Sequence, residues 1–293
     1  MTNYKILIIG SSGRLGKALQ AQLQGSTTTI MQVGRTAMAV GNREYSFTPD
    51  SPSLHRELKR WQPDLVVNMA AVWGSGVSER DTLETSYKMP MRVAEQIDGK
   101  GVAWLQVDSY FNLYFDSQGV DKDFYSRVKR RFAEDFRVKF PDFAFTQIMA
   151  PHLVGDDEPK NRLFRDLAEG HLSGEPFALG SGNQYVPFVA MSDAAKQVAW
   201  LVGKNRTSYG SLPQALQLKR IDCLTVREIN DKFAEQLNSL SSLAMFGSLP
   251  DGVNEFYQEV TSEFIYGELP DPLLSIRAIL GGITVTLKGN EKP

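Results

Sequence analysis

The N-terminal half alternates short apolar runs with longer stretches in which apolar residues recur every three or four positions. Residues 6–9, 28–33, 64–68, 102–107 and 143–149 read as strands, with a shorter one over 43–47. Between them, 15–23, 52–61, 79–97 and 123–140 read as helices; Leu15, Ala18, Leu19 and Leu23 share one helical face. Continuous apolar strands alternating with helices predict an α/β fold. The sheet is expected to be parallel and doubly wound, with right-handed crossovers and helices on both faces. Pro90 predicts a kink or break in the 79–97 helix.

After Pro151 the pattern becomes mixed. Residues 155–161 are polar and loop-like, 163–168 read as a helix, and 175–179 and 184–189 as short strands. Ser192 reads as the N-cap of an apolar helix over 192–202. Further helices are expected over 224–237 and 253–264, and 283–287 reads either as a strand or as a frayed end. The expected division is 1–150 and 151–293, with 184–203 returning to the first part.

The chain has 293 residues, 42% apolar and 23% charged, which excludes the disordered, collagen-like and disulfide-stapled classes and leaves a core large enough for an enzyme. A net charge of −2 supplies no basic field for nucleic acid or an anionic membrane. The single cysteine, Cys223, cannot form an internal disulfide, which fits a reducing compartment. No run approaches the ~18 apolar residues of a membrane span. The first residues, Met1-Thr2-Asn3-Tyr4-Lys5, lack the long apolar stretch of a signal peptide. A cytoplasmic location is expected.

The first strand runs into Gly10-Ser11-Ser12-Gly13-Arg14-Leu15-Gly16, and a helix follows. Glycines there let the backbone turn tightly and approach a pyrophosphate seated on the helix N-terminus. The spacing is G-x-x-G-x-x-G, and the strand-before, helix-after context is what a dinucleotide site requires. An NAD site places an acid about 20 residues further on. This chain has Val33-Gly34-Arg35-Thr36 instead. Arg35 suits the 2′-phosphate of NADP, and Arg14 is a second possible phosphate contact. NADP is therefore expected, with NAD as the alternative. Asp50 is a candidate partner for adenine, or simply a turn residue beside Pro49 and Pro52.

Tyr125 and Lys129 stand four apart on a predicted helix and so share a face. A cation beside a phenol favours the phenolate, which brings tyrosine toward working pH as a proton donor or acceptor for a carbonyl–alcohol pair. His55, His152, His171 and Cys223 form no metal-ligand spacing, and no metal is expected.

The glycine loop with Tyr-x-x-x-Lys, Asn68-Met69-Ala70-Ala71 and the Phe188–Asp193 turn resembles the extended branch of the short-chain dehydrogenase/reductase superfamily. That branch includes NAD-dependent epimerase/dehydratase-like, nucleotide-sugar-modifying enzymes. Within it the pattern is nearest to 4-ketoreductases of the CDP-paratose/CDP-abequose synthase type. The matching stretches are Trp73-Gly74, Asp108-Ser109-Tyr110-Phe111, Tyr125 through Arg130 with Phe132, His152 with Gly155, and Asn161 through Phe164. The resemblance implies a Rossmann domain over 1–150 that binds NADP, and a mainly substrate-binding lobe over 151–293. It implies that Gly10, Ser12, Gly13, Arg14, Leu15, Gly16, Arg35, Asp50, Ala70 and Lys129 hold the dinucleotide. Tyr125 would be the general acid, Lys129 its tuning partner, and Ser109 the residue that orients the carbonyl. Trp73, Asp108, Tyr110, His152 and Arg162 would meet the substrate, a nucleotide sugar. The 79–97 and 123–140 helices pair across a dimer interface in many members, so a homodimer is expected, with Met91, Val128 and Phe132 as interface or core.

Several positions depart from the branch. The usual Ser or Thr at the end of strand five is Val107; Ser109 lies two residues on, on the same strand face if the strand continues, and Asp108 then points away. Two arginines expected near a diphosphate fall at Met149 and Val186, leaving Lys160, Arg162 or Arg165 to compensate. Ser86 replaces an asparagine. The leading expectation is an NADPH-dependent reductase of a keto group on a nucleotide-activated deoxysugar. The alternatives are an epimerase or dehydratase that retains NAD, and a non-catalytic NADP-binding sensor or regulatory protein.

Overall fold

The computed structural model describes residues 4–24, 28–34, 45–47, 51–72, 76–112, 123–249, 269–272 and 274–290. They fall into two units. The first holds the chain to Ala150 and again over Ala195–Leu218; the second holds Pro151–Ala194, the stretch from Lys219, and the C-terminal stretch from Asp271.

In the first unit, β1 (Tyr4–Ile9), β2 (Thr28–Val33), β3 (Tyr45–Phe47), β4 (Leu65–Asn68), β5 (Ala103–Ser109), β6 (Ala144–Ala150) and β10 (Ala215–Gln217) form one sheet. Its order is β10-β6-β5-β4-β1-β2-β3, and every pairing is parallel. This is the doubly wound sheet that the apolar runs predict. The chain leaves β1 toward β2 on one side and later returns to β4 on the other. The two directions of winding therefore part between β1 and β4, opening a crevice at the strands' C-terminal ends. On one face, Leu7, Ile9, Val66 and Trp104 pack with Leu58, Val93, Phe132 and Phe136 from the covering helices.

Local chemistry sets some element ends. Helix Phe124–Lys139 begins after Asp123, whose carboxylate accepts from Ser126 N at 2.7 Å. The expected 79–97 helix is divided into Glu79–Leu83, a π-helical stretch Glu84–Lys88, and Met89–Ala94. The disturbance lies upstream of Pro90 because proline has no N–H for the carbonyl four residues earlier, and a wider turn relieves the clash there. Met91, Val128 and Phe132 are core residues, 7%, 5% and 0% exposed.

In the second unit, β7 (His152–Val154), β9 (Tyr185–Ala190) and β11 (Asp222–Thr225) make a three-stranded sheet, and β8 (Phe177–Leu179) pairs with β12 (Ala244–Phe246). Helices Leu163–Ser173, Val226–Leu237 and Ile276–Asn290 share a core with these strands around Phe164, Phe188, Phe233 and Ile283.

Four expectations need correction. The segment expected to return to the first unit, 184–203, does so only from Ala195, because β9 pairs with β7 and β11. Ser192 is not an N-cap: β9 runs straight into helix Met191–Thr207. The 224–237 helix begins at Val226, after a capping box between Thr225 and Glu228. The 283–287 stretch is neither strand nor frayed end but part of helix Ile276–Asn290. There Ile279, Leu280, Ile283 and Leu287 line the face buried in the second core. β7, β10 and β12 are three-residue strands that no periodicity marks. The helix expected over 253–264 lies outside the described residues.

Candidate active site

Gly10 sets the turn after β1. Its φ is +83°, and a methyl there would stand 2.8 Å from Ala70 N and 2.9 Å from Met69 C. A methyl on Gly16 would overlap Gly10 O. Close backbone approach therefore requires both glycines. Helix Arg14–Leu23 opens with Gly13 as N-cap, without a side-chain capping bond and without an acid in its first turn. The leading amides of an α-helix have no intrahelical acceptor, and the helix dipole favours an anion at that end. This turn fits the pyrophosphate of a dinucleotide. It brings Gly10, Ser12, Gly13, Arg14, Leu15 and Gly16 together with Ala70.

At the end of β4, Asn68 is fully buried. Its Oδ1 accepts from Ala70 N at 3.1 Å, and its Nδ2 donates to Gln106 Oε1 at 2.8 Å. β5 continues through Ser109, so Ser109 lies on the strand face of Val107, as expected, and Asp108 on the other. Ser109 Oγ accepts from Phe111 N at 3.3 Å, which leaves its own hydrogen for donation. Asp108 is buried. Its Oδ1 accepts from Ser109 N at 2.7 Å and Asn112 Nδ2 at 2.9 Å, and its Oδ2 from Gln147 Nε2 at 2.6 Å.

Tyr125 and Lys129 lie four apart on helix Phe124–Lys139; Tyr125 is half-buried and Lys129 is 2% exposed. Lys129 Nζ donates to Val107 O at 2.7 Å. Burial pulls the ammonium below its ordinary range, and the charge of Asp108 opposes that shift. Ser86, in the π-helical stretch, is buried, and its Oγ has no partner among the described residues.

Tyr110 is 4% exposed, with its ring centroid 4.4 Å from that of Phe111. In the second unit, His152 Nε2 is 3.9 Å from the buried carboxylate of Glu158, and its ring lies against Phe164. Arg162 precedes helix Leu163–Ser173. Arg165, one candidate for the diphosphate, donates to Glu169 at 2.6 Å and to Glu158 O at 3.1 Å. Arg35, Asp50 and Trp73 lie outside the described residues. Gln106, Trp104, Gln147 and Arg137, which the sequence did not single out, hydrogen-bond the candidate residues or their partners. The available signal was polar Gln106 and Gln147 inside strands that otherwise read as buried on both faces. Among the described residues no helix is long and apolar enough to cross a membrane, and no cluster of His, Cys, Asp or Glu could hold a metal.

The profile of the NAD dependent epimerase/dehydratase family matches residues 6–211, and the chain belongs to that family. Its members are oxidoreductase-type enzymes of the extended short-chain dehydrogenase/reductase kind. Solved structures of similar fold include MoeE5 in complex with UDP-glucose and NAD (20% identity, TM-score 0.76, covering 98% of this chain and 100% of that one). Another is dTDP-glucose 4,6-dehydratase from Bacillus anthracis in complex with NAD, at 13% identity, TM-score 0.76 and coverages of 98% and 97%. A third is UDP-N-acetylglucosamine 4-epimerase from Bacillus cereus, at 16% identity, TM-score 0.69 and coverages of 99% and 98%. No curated protein matches the chain.

Proposed function

We propose that the chain is an NADPH-dependent reductase of a keto group on a nucleotide-activated deoxysugar, with Tyr125 as general acid. The observation that carries this reading is the burial of Lys129 beside the end of β5, one helical turn from half-buried Tyr125. Gly10, Ser12, Gly13, Arg14, Leu15, Gly16, Ala70 and Lys129 would hold the dinucleotide, with Arg35 at the 2′-phosphate and Asp50 at the adenine. When bound, the nicotinamide supplies hydride. Tyr125 gives its proton to the developing alkoxide; Lys129 favours the phenolate left behind; the Ser109 hydroxyl orients the oxygen. Residues 1–150 would serve as the NADP-binding domain, with Trp73 and Tyr110 as its substrate contacts, and 151–293 would mainly bind substrate, through His152 and Arg162. Asp108, whose two oxygens are taken by Ser109 N, Asn112 and Gln147, has a structural role instead. A panel of nucleotide-sugar ketones, read by NADPH consumption, tests the reading; no consumption with any of them would refute it.

The second reading is an epimerase or dehydratase that retains NAD. It is favoured by the family's name and by the NAD in the complexes of similar fold. Against the dehydratase form, both Asp108 oxygens are engaged by three donors and are poorly placed to deliver a proton. Identifying the dinucleotide that copurifies separates the two: tightly held NAD supports the second, exchangeable NADPH the first.

We also propose a homodimer through helices 79–94 and 124–139. With Met91, Val128 and Phe132 in the core, its contacts would be polar, around the exposed Arg130–Glu134 and Arg131–Asp135 pairs. Sedimentation at micromolar concentration tests it; a monomer alone would count against it.

A further inference from the structure

In a parallel ladder a residue turns both backbone groups toward one neighbouring strand, and successive residues alternate sides. Ala103 N donates to Asp64 O, so Ala103, Leu105 and Val107 face β4. With Ala103 opposite Leu65 and Gln106 opposite Asn68, the next rung would join Ala70 N to Val107 O. The strands part before that rung. Ala70 N donates to Asn68 Oδ1 instead, and Val107 O accepts from Lys129 Nζ at 2.7 Å and Gln106 Nε2 at 3.1 Å.

Gln106 joins the two sides of this split. Its Oε1 accepts from Asn68 Nδ2 at 2.8 Å and from Trp104 Nε1 at 3.2 Å. An indole N–H can only donate and a backbone carbonyl can only accept, so the Gln106 amide has one orientation. Asn68 must then offer its nitrogen to Gln106 and its oxygen to Ala70 N. Asn68, Gln106, Lys129 and Ala70 are 0%, 1%, 2% and 3% exposed, so water does not compete for these bonds. The row runs without interruption from the lysine ammonium to the backbone that packs on Gly10.

We infer that Gln106 is a positioning residue that couples the place of the Lys129 ammonium to the dinucleotide turn at Gly10. The coupling runs through Val107 O on one side and through Asn68 and Ala70 on the other. The inference rests on the proposal that Lys129 serves the bound dinucleotide.

A double-mutant cycle on the whole chain tests it, with Gln106→Met and Lys129→Met read as dissociation constants for NADPH and NADH. In the native background Lys129→Met is expected to weaken binding of the preferred dinucleotide about tenfold, as for a lost charge-assisted bond. In the Gln106→Met background the loss should be at least about fivefold smaller, since the two residues share one network. Trp104→Phe, which deletes the donor that orients Gln106, should also weaken binding and make the lysine's loss less than additive. It is the second route if Gln106→Met does not fold. A merely structural Gln106 would lower stability to urea but leave the two losses additive within about twofold, and that result overturns the inference. So does a Lys129→Met variant that binds as the native chain does. The readout is binding rather than turnover. Failure to reduce any nucleotide-sugar ketone, with the coupling intact, therefore removes only the proposed reaction.

Discussion

Gln147 donates its side-chain amide to Asp108, Nε2 to Oδ2 at 2.6 Å, across neighbouring strands β6 and β5. Arg137 in turn donates to Gln147 Oε1 at 2.9 Å, so the buried carboxylate is tied to a cation on the covering helix through one amide. Asp108→Ala strands Gln147 Nε2, Asn112 Nδ2 and Ser109 N and should cost about 3 kcal/mol. Asp108→Asn, which must turn its own NH₂ toward one of those donors, should cost about 1–2 kcal/mol. Urea unfolding measures both. An alanine variant as stable as the native chain would show that the three bonds contribute nothing net.

Lys129 gives a prediction with a sign. Its folded-state pKa is lowered by burial from the ordinary 10.5. Below the lowered value both states carry the proton, and the folded state bears the full cost of the buried charge. Between the lowered value and 10.5 the unfolded chain binds more protons, so this residue's contribution to stability rises with pH. Lys129→Met should abolish that rise and leave the dinucleotide-free protein as stable near neutral pH, or up to ~2 kcal/mol more stable. Urea midpoints near neutral and in the alkaline window decide it. Marked destabilisation at neutral pH would mean that the ammonium's bond to Val107 O outweighs its burial.

Gly10→Ala should lower stability by ~2 kcal/mol or more, since alanine tolerates neither the left-handed backbone nor the contact with Ala70. Dinucleotide affinity should fall with it. Calorimetry and a binding titration on the same sample provide the check; native-like values in both would place the pyrophosphate elsewhere.

Arg35→Ala should weaken NADPH binding by ~1.5–3 kcal/mol and leave NADH little changed, because the arginine is expected to meet only the 2′-phosphate. Equal affinities for NADPH and NADH in the unaltered chain would sink this assignment.

Tyr125→Phe keeps the ring and removes the transferable proton. Ketone reduction at saturating NADPH should fall ~10²–10⁴-fold with cofactor affinity nearly unchanged. Ser109→Ala should have a smaller effect if its hydroxyl stands in for the one missing at Val107. A fully active Tyr125→Phe would take the tyrosine out of the mechanism.

Sequence alone determined the parts that local periodicity and short spacing decide. The strand–helix alternation, the glycine turn after β1, and the Tyr125–Lys129 face all follow from residues a few positions apart. So does the 124–139 helix, which starts and ends within a residue of its expected bounds. Tertiary structure decided what depends on distant partners. The tail at 283–287 has the β-branched residues of a strand, but burial of Ile279, Leu280, Ile283 and Leu287 in the second core makes it a helix. Met91, Val128 and Phe132 could equally have served core or interface until packing placed them inside. The bonds of Gln106 to Asn68, 38 residues away, and of Lys129 to Val107 O, 22 away, were equally illegible. A glutamine in an apolar strand shows only that a buried polar group needs a partner; which partner it finds depends on where neighbouring strands stop.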